Sequence, residues 1–168
     1  RYGNVMGSRG SVIPFFIKEK VKGVLPITDK RMTRFMITLE EGVELVWEAF
    51  EDMNGGEIYV KKIPSMKVTD LAIAIDKDAV QKIVGIRPGE KLHEEMIGED
   101  DSFYTFEYDD YYKILPAINE RSLSKELIKD GKRVEEGFSY TSDNNLEWMS
   151  VDTLQDWIEN NVNKIGLI

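Results

Sequence analysis

The sequence predicts an α/β chain with a less regular α+β part appended. Three observations carry this. Short apolar runs of strand character alternate with segments of helical periodicity through the first part of the chain. From Phe103 to Leu115 an aromatic-rich stretch, "FYTFEYDDYYKIL", breaks that alternation. The 168 residues, 42% hydrophobic and 32% charged, are enough for one compact domain with a core and have an ordinary globular balance.

Arg1 to Met6 reads as a short strand, followed by a turn at "GSRGS" (Gly7 to Ser11). Ser11 is placed to cap a helix over Val12 to Val21, with Pro14 in its first turn, where proline is tolerated. Leu25 to Thr28 ("LPIT") and Arg34 to Ile37 ("RFMI") are short extended pieces either side of a polar loop. The strongest helix is Leu39 to Met53. Thr38 and Glu41 have capping-box spacing, and Leu39, Val43, Val46, Trp47 and Phe50 form one apolar face. "NGG" (Asn54 to Gly56) ends it.

Glu57 to Val60 reads as a strand. Ser65 is expected to cap a helix over Lys67 to Ile75, with Val68, Leu71, Ala72 and Ile75 inward. Lys82 to Ile86 reads as a buried strand leading into the turn "RPGE". Leu123 to Lys129 is a short helix, and Ser150 caps a final amphipathic helix through Val162. A boundary near Gly98 to Ser102, "GEDDS", divides the chain into 1–97 and 98–168.

The net charge is -9 and the sequence pI about 4.8. An acidic surface repels phosphate backbones, so nucleic acid is not expected as a partner. There is no cysteine, which excludes disulfides and thiolate chemistry and fits a reducing compartment. No apolar run approaches the ~20 residues of a membrane span, and no signal peptide is visible. The chain opens on Arg1 in strand-like sequence, and is expected to be part of a longer protein.

No dinucleotide fingerprint and no P-loop occur. The single histidine, His93, stands in "HEEMI", where Ile97 replaces the second histidine of a zinc helix. It reads as a hydrogen-bonded structural residue, and no metal is expected. Arg34 and Arg87 stand at strand ends, where a guanidinium suits a phosphate or carboxylate and equally suits an internal salt bridge. Glu90 either pairs with Arg87 or accepts from sugar hydroxyls. Asn4 either donates to a ligand or satisfies a turn. Spacing leaves these alternatives open.

Four stretches in order, "RYGNVMGSRGSVIPFF", "PITDKRMTRFMITLEEGVELV", "GGEIYVKKIPSMKVTDLA" and "IVGIRPGEKLHEEMI", with "YTSDNNLEWMSVDTL" after them, resemble the C-terminal part of the inverting UDP-N-acetylglucosamine 4,6-dehydratases. These are extended short-chain dehydrogenase/reductases of bacterial surface-sugar synthesis, including that of pseudaminic acid. The resemblance covers nearly the whole chain. It implies that residues 1–97 are the end of a Rossmann fold plus a substrate-binding lobe, and 98–168 a C-terminal α+β extension.

The resemblance further implies a cytoplasmic, homo-oligomeric enzyme that holds NADP and binds UDP-GlcNAc. Its reaction oxidises C4 of the sugar, eliminates water across C5 and C6, returns the hydride to C6 and inverts C5. The family's glycine-rich loop, its Tyr-x-x-x-Lys pair and its acidic acid/base are not in these residues, so no catalytic residue is expected here and the chain alone is expected to be inactive. By motif, Tyr2 takes a cofactor-side role. Asn4, Leu25, Arg34, Arg87 and Glu90 take substrate-side roles: Leu25 at the uracil edge, the two arginines on the pyrophosphate, Glu90 at the ribose. Two readings stay open beside this one: a related sugar-nucleotide epimerase, and a non-catalytic UDP-sugar-binding or interaction module.

Overall fold

The first strand is shorter than the sequence suggests. The computed structural model describes residues 1–117 and 125–167, and β1 spans only Asn4–Val5. The backbone of Arg1 turns away from that ladder. Its carbonyl accepts from the Lys61 N–H (3.3 Å), and its amino group donates to the Tyr59 carbonyl. A Cβ on Gly3 would lie 2.5 Å from that of Phe35, so glycine is needed for the chain to approach so closely.

Helix α1 (Val12–Glu19) continues as a 3-10 turn at Lys20–Lys22. Strand β2 (Val24–Ile27) and β3 (Thr33–Ile37) follow. β1 and β3 are parallel, with Asn4 opposite Met36. Helix α2 (Leu39–Asp52) starts with the expected capping box: the Thr38 side chain accepts from the Glu41 N–H, and the Glu41 carboxylate accepts from the Thr38 N–H. Strands β4 (Ile58–Lys61) and β5 (Ser65–Lys67) lead to α3 (Val68–Ile75).

Ser65 is not a cap. It is wholly buried within β5, where its N–H donates to the Glu147 carbonyl (2.9 Å) and its own carbonyl accepts from Met149 (2.8 Å). Lys67 takes the N-cap position of α3 without a side-chain bond. The inward face of α3 is as read, with Val68, Leu71 and Ala72 buried.

Strand β6 (Val80–Ile83) ends earlier than expected and is exposed along most of its length, not buried. It pairs only with β2, in parallel, and nothing among the described residues covers its outer face. The stretch from Phe103 is not one extended piece. After β7 (Glu95–Ile97), a 3-10 helix (Glu99–Tyr104) leads into a hairpin of β8 (Thr105–Glu107) and β9 (Tyr111–Ile114). With β4 and β10 (Lys132–Arg133) this makes a four-stranded antiparallel sheet.

Helix α4 is Lys125–Ile128, and the start of the expected helix at Leu123 lies outside the described residues. β11 (Tyr140–Thr141) pairs with β7. Ser150 caps α5 (Val151–Asn161) by accepting from the Thr153 N–H (3.1 Å).

Successive residues of a strand face opposite sides, and β3 uses both. Met36 joins an apolar core with residues of α1, β2, α3 and α5, whereas Phe35 and Ile37 join a second core with residues of β4, β7, β9 and β11. Both cores draw residues from either side of residue 98.

α2 is tied to the antiparallel sheet by its last residue. Asp52 accepts from the Lys113 ammonium (2.6 Å), the Tyr59 hydroxyl (2.6 Å) and the Lys129 ammonium. Lys113 is almost wholly buried and also lies 4.9 Å from the Tyr108 ring centroid, a cation–π contact in a desolvated place.

Candidate functional site

Three separate segments converge on one cleft of about 550 Å³. The first is the start of α1, with Gly10 and Ser11. The second is the face of β3 that carries Arg34 and Met36. The third is the turn holding Arg87 and Glu90. Asn4 from β1 also reaches it.

Local chemistry sets each part. In "RPGE", the Glu90 N–H donates to the Arg87 carbonyl (3.0 Å), and Gly89 has φ +82°. Proline in second place and a positive-φ glycine in third are the residues a type II turn requires. The Glu90 carboxylate then accepts from the Arg87 N–H (3.2 Å) and closes the turn again. Only the backbone N–H and carbonyl of Arg87 are engaged among the described residues; its side chain is exposed at the rim.

Arg34 is placed differently. Its Nη1 donates to the carbonyls of Thr33 (2.6 Å) and Leu92 (3.1 Å), and its Nη2 to that of Lys91 (2.9 Å). Its Nε lies 3.7 Å from Glu94, and its Nη2 lies 4.0 Å from Glu90. Two of these bonds stitch β3 to the segment after the turn, and the third closes on its own strand. What remains for a ligand is one N–H edge and a positive charge.

Asn4 is also committed. Its Nδ2 donates to the Phe35 carbonyl (3.1 Å) and to the Glu94 carboxylate (2.9 and 3.0 Å).

Ser11 is the reverse case. It takes the N-cap position of α1 with extended backbone, but its side chain makes no cap bond. Among the described residues its buried Oγ has no hydrogen-bond partner, although Ser11 is part of the cleft wall. An orphaned hydroxyl at a helix N-terminus, where N–H groups and dipole favour negative charge, suits an anion.

Leu25 and Tyr2 fall elsewhere. Leu25 is 0% exposed in the first core, because the alternation along β2 turns Leu25 and Ile27 inward. Its neighbours Pro26 and Thr28 face the cleft instead. As a side chain, Leu25 is therefore a core residue. Tyr2 is half exposed and borders a separate small hollow with Lys91 and Glu94. So the structure brings Asn4, Arg34, Arg87 and Glu90 together and leaves Leu25 and Tyr2 apart.

His93 is hydrogen-bonded and lies outside the cleft lining. Its Nδ1 lies 2.8 Å from the Thr33 hydroxyl, and its Nε2 lies 3.9 Å from Asp143. Among the described residues no group of three or more acidic or histidine side chains is placed to hold a metal. No described helix is long and apolar enough to cross a membrane.

Sequence reasoning missed Ser11, taken only as a cap, and Glu94, considered only as part of a failed zinc motif. The first had no signal beyond its position. The second had one: an acidic residue two places from the segment that holds a strand-end arginine.

Residues 1–116 match the model of a family described as "Polysaccharide biosynthesis protein". The chain belongs to this family. Within the polysaccharide biosynthesis family and its kin, it is 54% identical over 165 residues to a UDP-N-acetylglucosamine 4,6-dehydratase (inverting) of Campylobacter jejuni, covering 94% of this chain and 49% of that protein. It is 36% identical to a UDP-glucose 4-epimerase of Rickettsia conorii, covering 95% of this chain and 51% of the other. The structure of Pen from Bacillus thuringiensis superposes with a TM-score of 0.80 at 33% identity, covering 96% of this chain and 49% of that one. The chain thus spans about half the length of the curated relatives it matches, and the α/β class read from the sequence holds.

Proposed function

We propose that this chain is the UDP-sugar-binding portion of an extended short-chain dehydrogenase/reductase that acts as a sugar-nucleotide 4,6-dehydratase, with UDP-GlcNAc as substrate. One observation carries the reading: Arg34, Arg87, Glu90 and Ser11, whose hydroxyl has no partner among the described residues, come from three segments far apart in sequence and share one cleft. A UDP-sugar brings two negative charges near neutral pH. In a chain of net charge -9 those charges need a local cationic site. The free Arg87 fork supplies a bidentate grip, at about 1.5–3 kcal/mol for each charge-assisted bond. Arg34 adds field and one edge, and the first N–H groups of α1 add donors. Glu90 accepts from ribose hydroxyls.

NADP finds little support in these residues. Tyr2 lies outside the cleft, and the sequence holds neither a glycine-rich dinucleotide loop nor a Tyr-x-x-x-Lys pair to take the proton from a sugar hydroxyl. No chemical step is therefore assigned to this chain's side chains; its part is to bind and orient.

The test is calorimetric titration with UDP. Binding that is lost by at least tenfold in Arg87→Ala supports the reading. A folded protein that binds UDP equally well without Arg87 overturns it. The similarity to both a dehydratase and an epimerase keeps the epimerase as a second reading, which product NMR on the full-length enzyme separates.

A further inference from the structure

Glu94 lies outside the cleft lining but in contact with Asn4 and Arg34, which are part of it. Every hydrogen-bond or ion-pair partner of its carboxylate among the described residues is a donor. The amide of Asn4 reaches both oxygens at 2.9 and 3.0 Å, the Phe35 N–H reaches one at 3.0 Å, and the Arg34 Nε lies 3.7 Å away. Such a ring of donors specifies a carboxylate, because the NH2 of a glutamine would meet donors with a donor.

The backbone of Glu94 is fixed as firmly. Its N–H donates to the Ser142 Oγ (2.9 Å), and its carbonyl accepts from the Ser142 N–H (2.8 Å). The Ser142 hydroxyl lies also 2.7 Å from that of Thr33, the residue before Arg34. Ser142 is fully buried.

We infer that Glu94 is a positioning residue for the anion cleft: it fixes Asn4 and the Arg34 guanidinium, and through Ser142 it ties that geometry to the residue that follows strand β11. The inference rests on the reading of the cleft as a nucleotide-diphosphate site. Glu94 does not itself border the cleft; it borders the hollow on the far side with Tyr2 and Lys91. Its charge is needed because Arg34 gives two N–H bonds to the Lys91 and Leu92 carbonyls, which follow the Arg87–Glu90 turn, and a third to Thr33 on its own strand. With the Nε side unopposed, the guanidinium turns off that axis, and the turn it holds loses its register with α1.

The experiment is titration of the full-length protein with UDP and with uridine. Uridine lacks the diphosphate, so the ratio of the two affinities isolates the anion grip from general folding effects. Glu94→Gln lowers UDP affinity about tenfold, a change of about 1.4 kcal/mol, and leaves uridine affinity unchanged. In an Arg34→Lys background the same substitution adds little, because both changes act through one group. Equal loss for UDP and uridine, no loss for either, or full additivity with Arg34→Lys overturns the positioning role while the cleft assignment stands. Absence of UDP binding by the unaltered protein overturns the cleft assignment and this role with it. Should Glu94→Gln not fold, Ser142→Ala tests the role through the Glu94 backbone, whose N–H the Ser142 hydroxyl holds: a loss selective for UDP supports the role, and an equal loss for both ligands overturns it.

Discussion

The guanidinium of Arg34 has five N–H bonds to place, and three of them point back into the protein. Arg87, with the same chemistry, has its side chain exposed at the rim. Spacing alone could not tell these apart, because the difference lies in which carbonyls the fold brings within 3 Å of each. The same limit hid Glu94, whose partners come from β1, β3 and the stretch after β11. Tyr140 was also invisible as an anchor. Its hydroxyl donates to the Ile63 carbonyl (2.9 Å) and accepts from the Ile63 N–H (3.0 Å) in a buried place, and burial pushes its pKa up to about 12. Tyr140→Phe leaves that N–H without a partner, so it should cost about 1–3 kcal/mol in denaturant unfolding while leaving the cleft intact. At Asp52, burial acts to raise the carboxyl pKa, but hydrogen bonds from Lys113, Lys129 and Tyr59 outweigh it and hold the group well below the usual carboxylate range. A folded value below the unfolded one gives stability that is whole above about pH 4 and drains as the pH falls below it. Thermal melts should therefore show Asp52→Asn less stable than the natural protein at neutral pH, with the gap closing in acid.

Helix α2 was the clearest element in the sequence, and its bounds agree to within a residue. Its orientation was not legible. The stripe of Val43, Val46, Trp47 and Phe50 faces outward, with Trp47 65% and Phe50 66% exposed, while Leu45 and Gly42 are the buried residues. Periodicity reports that a helix has an apolar face; it does not report whether anything among these residues covers it. The energetic order of two substitutions follows. Leu45→Ala should cost about 2–5 kcal/mol, as for a buried leucine, and Trp47→Ala less than about 1 kcal/mol, by chemical denaturation. The reverse order would mean that the face is covered in solution. β6 misled in the same way. Its apolar residues suggested a buried strand, yet among the described residues it pairs with β2 alone and is mostly exposed. Ser65 misled through its type: serine before an apolar run reads as a cap, but here it is the third strand of a small sheet.

At the scale of the molecule, the alternation of strands and helices was enough to give the class, and the five long motifs were enough to give the family. What they could not give was the interleaving of the chain's two parts. α5 packs on α3, Leu154 of α5 sits in the core of α1 and β2, and Tyr140 sits beside Phe35. Pattern reading sees neighbours within a window, and these contacts join residues far outside any window. Four of the six residues assigned to a ligand by motif met in or beside one cleft, since a motif preserves the order of strand ends even where it says nothing of packing. The Leu25 side chain falls outside that cleft because a motif names a segment, and alternation along the strand decides which of its side chains looks out.

The strap of backbone at Ser65 has a consequence in time. The Ser65 amide is bonded to the Glu147 carbonyl and the Met149 amide to that of Ser65, on a residue that water does not reach. Neither proton can leave until the last part of the chain lifts from the first. In heavy water the two amides should exchange slowly and at a common rate, as members of one opening unit, and a mass or NMR reading that finds one fast and the other slow would show that the two ends of this chain come apart separately.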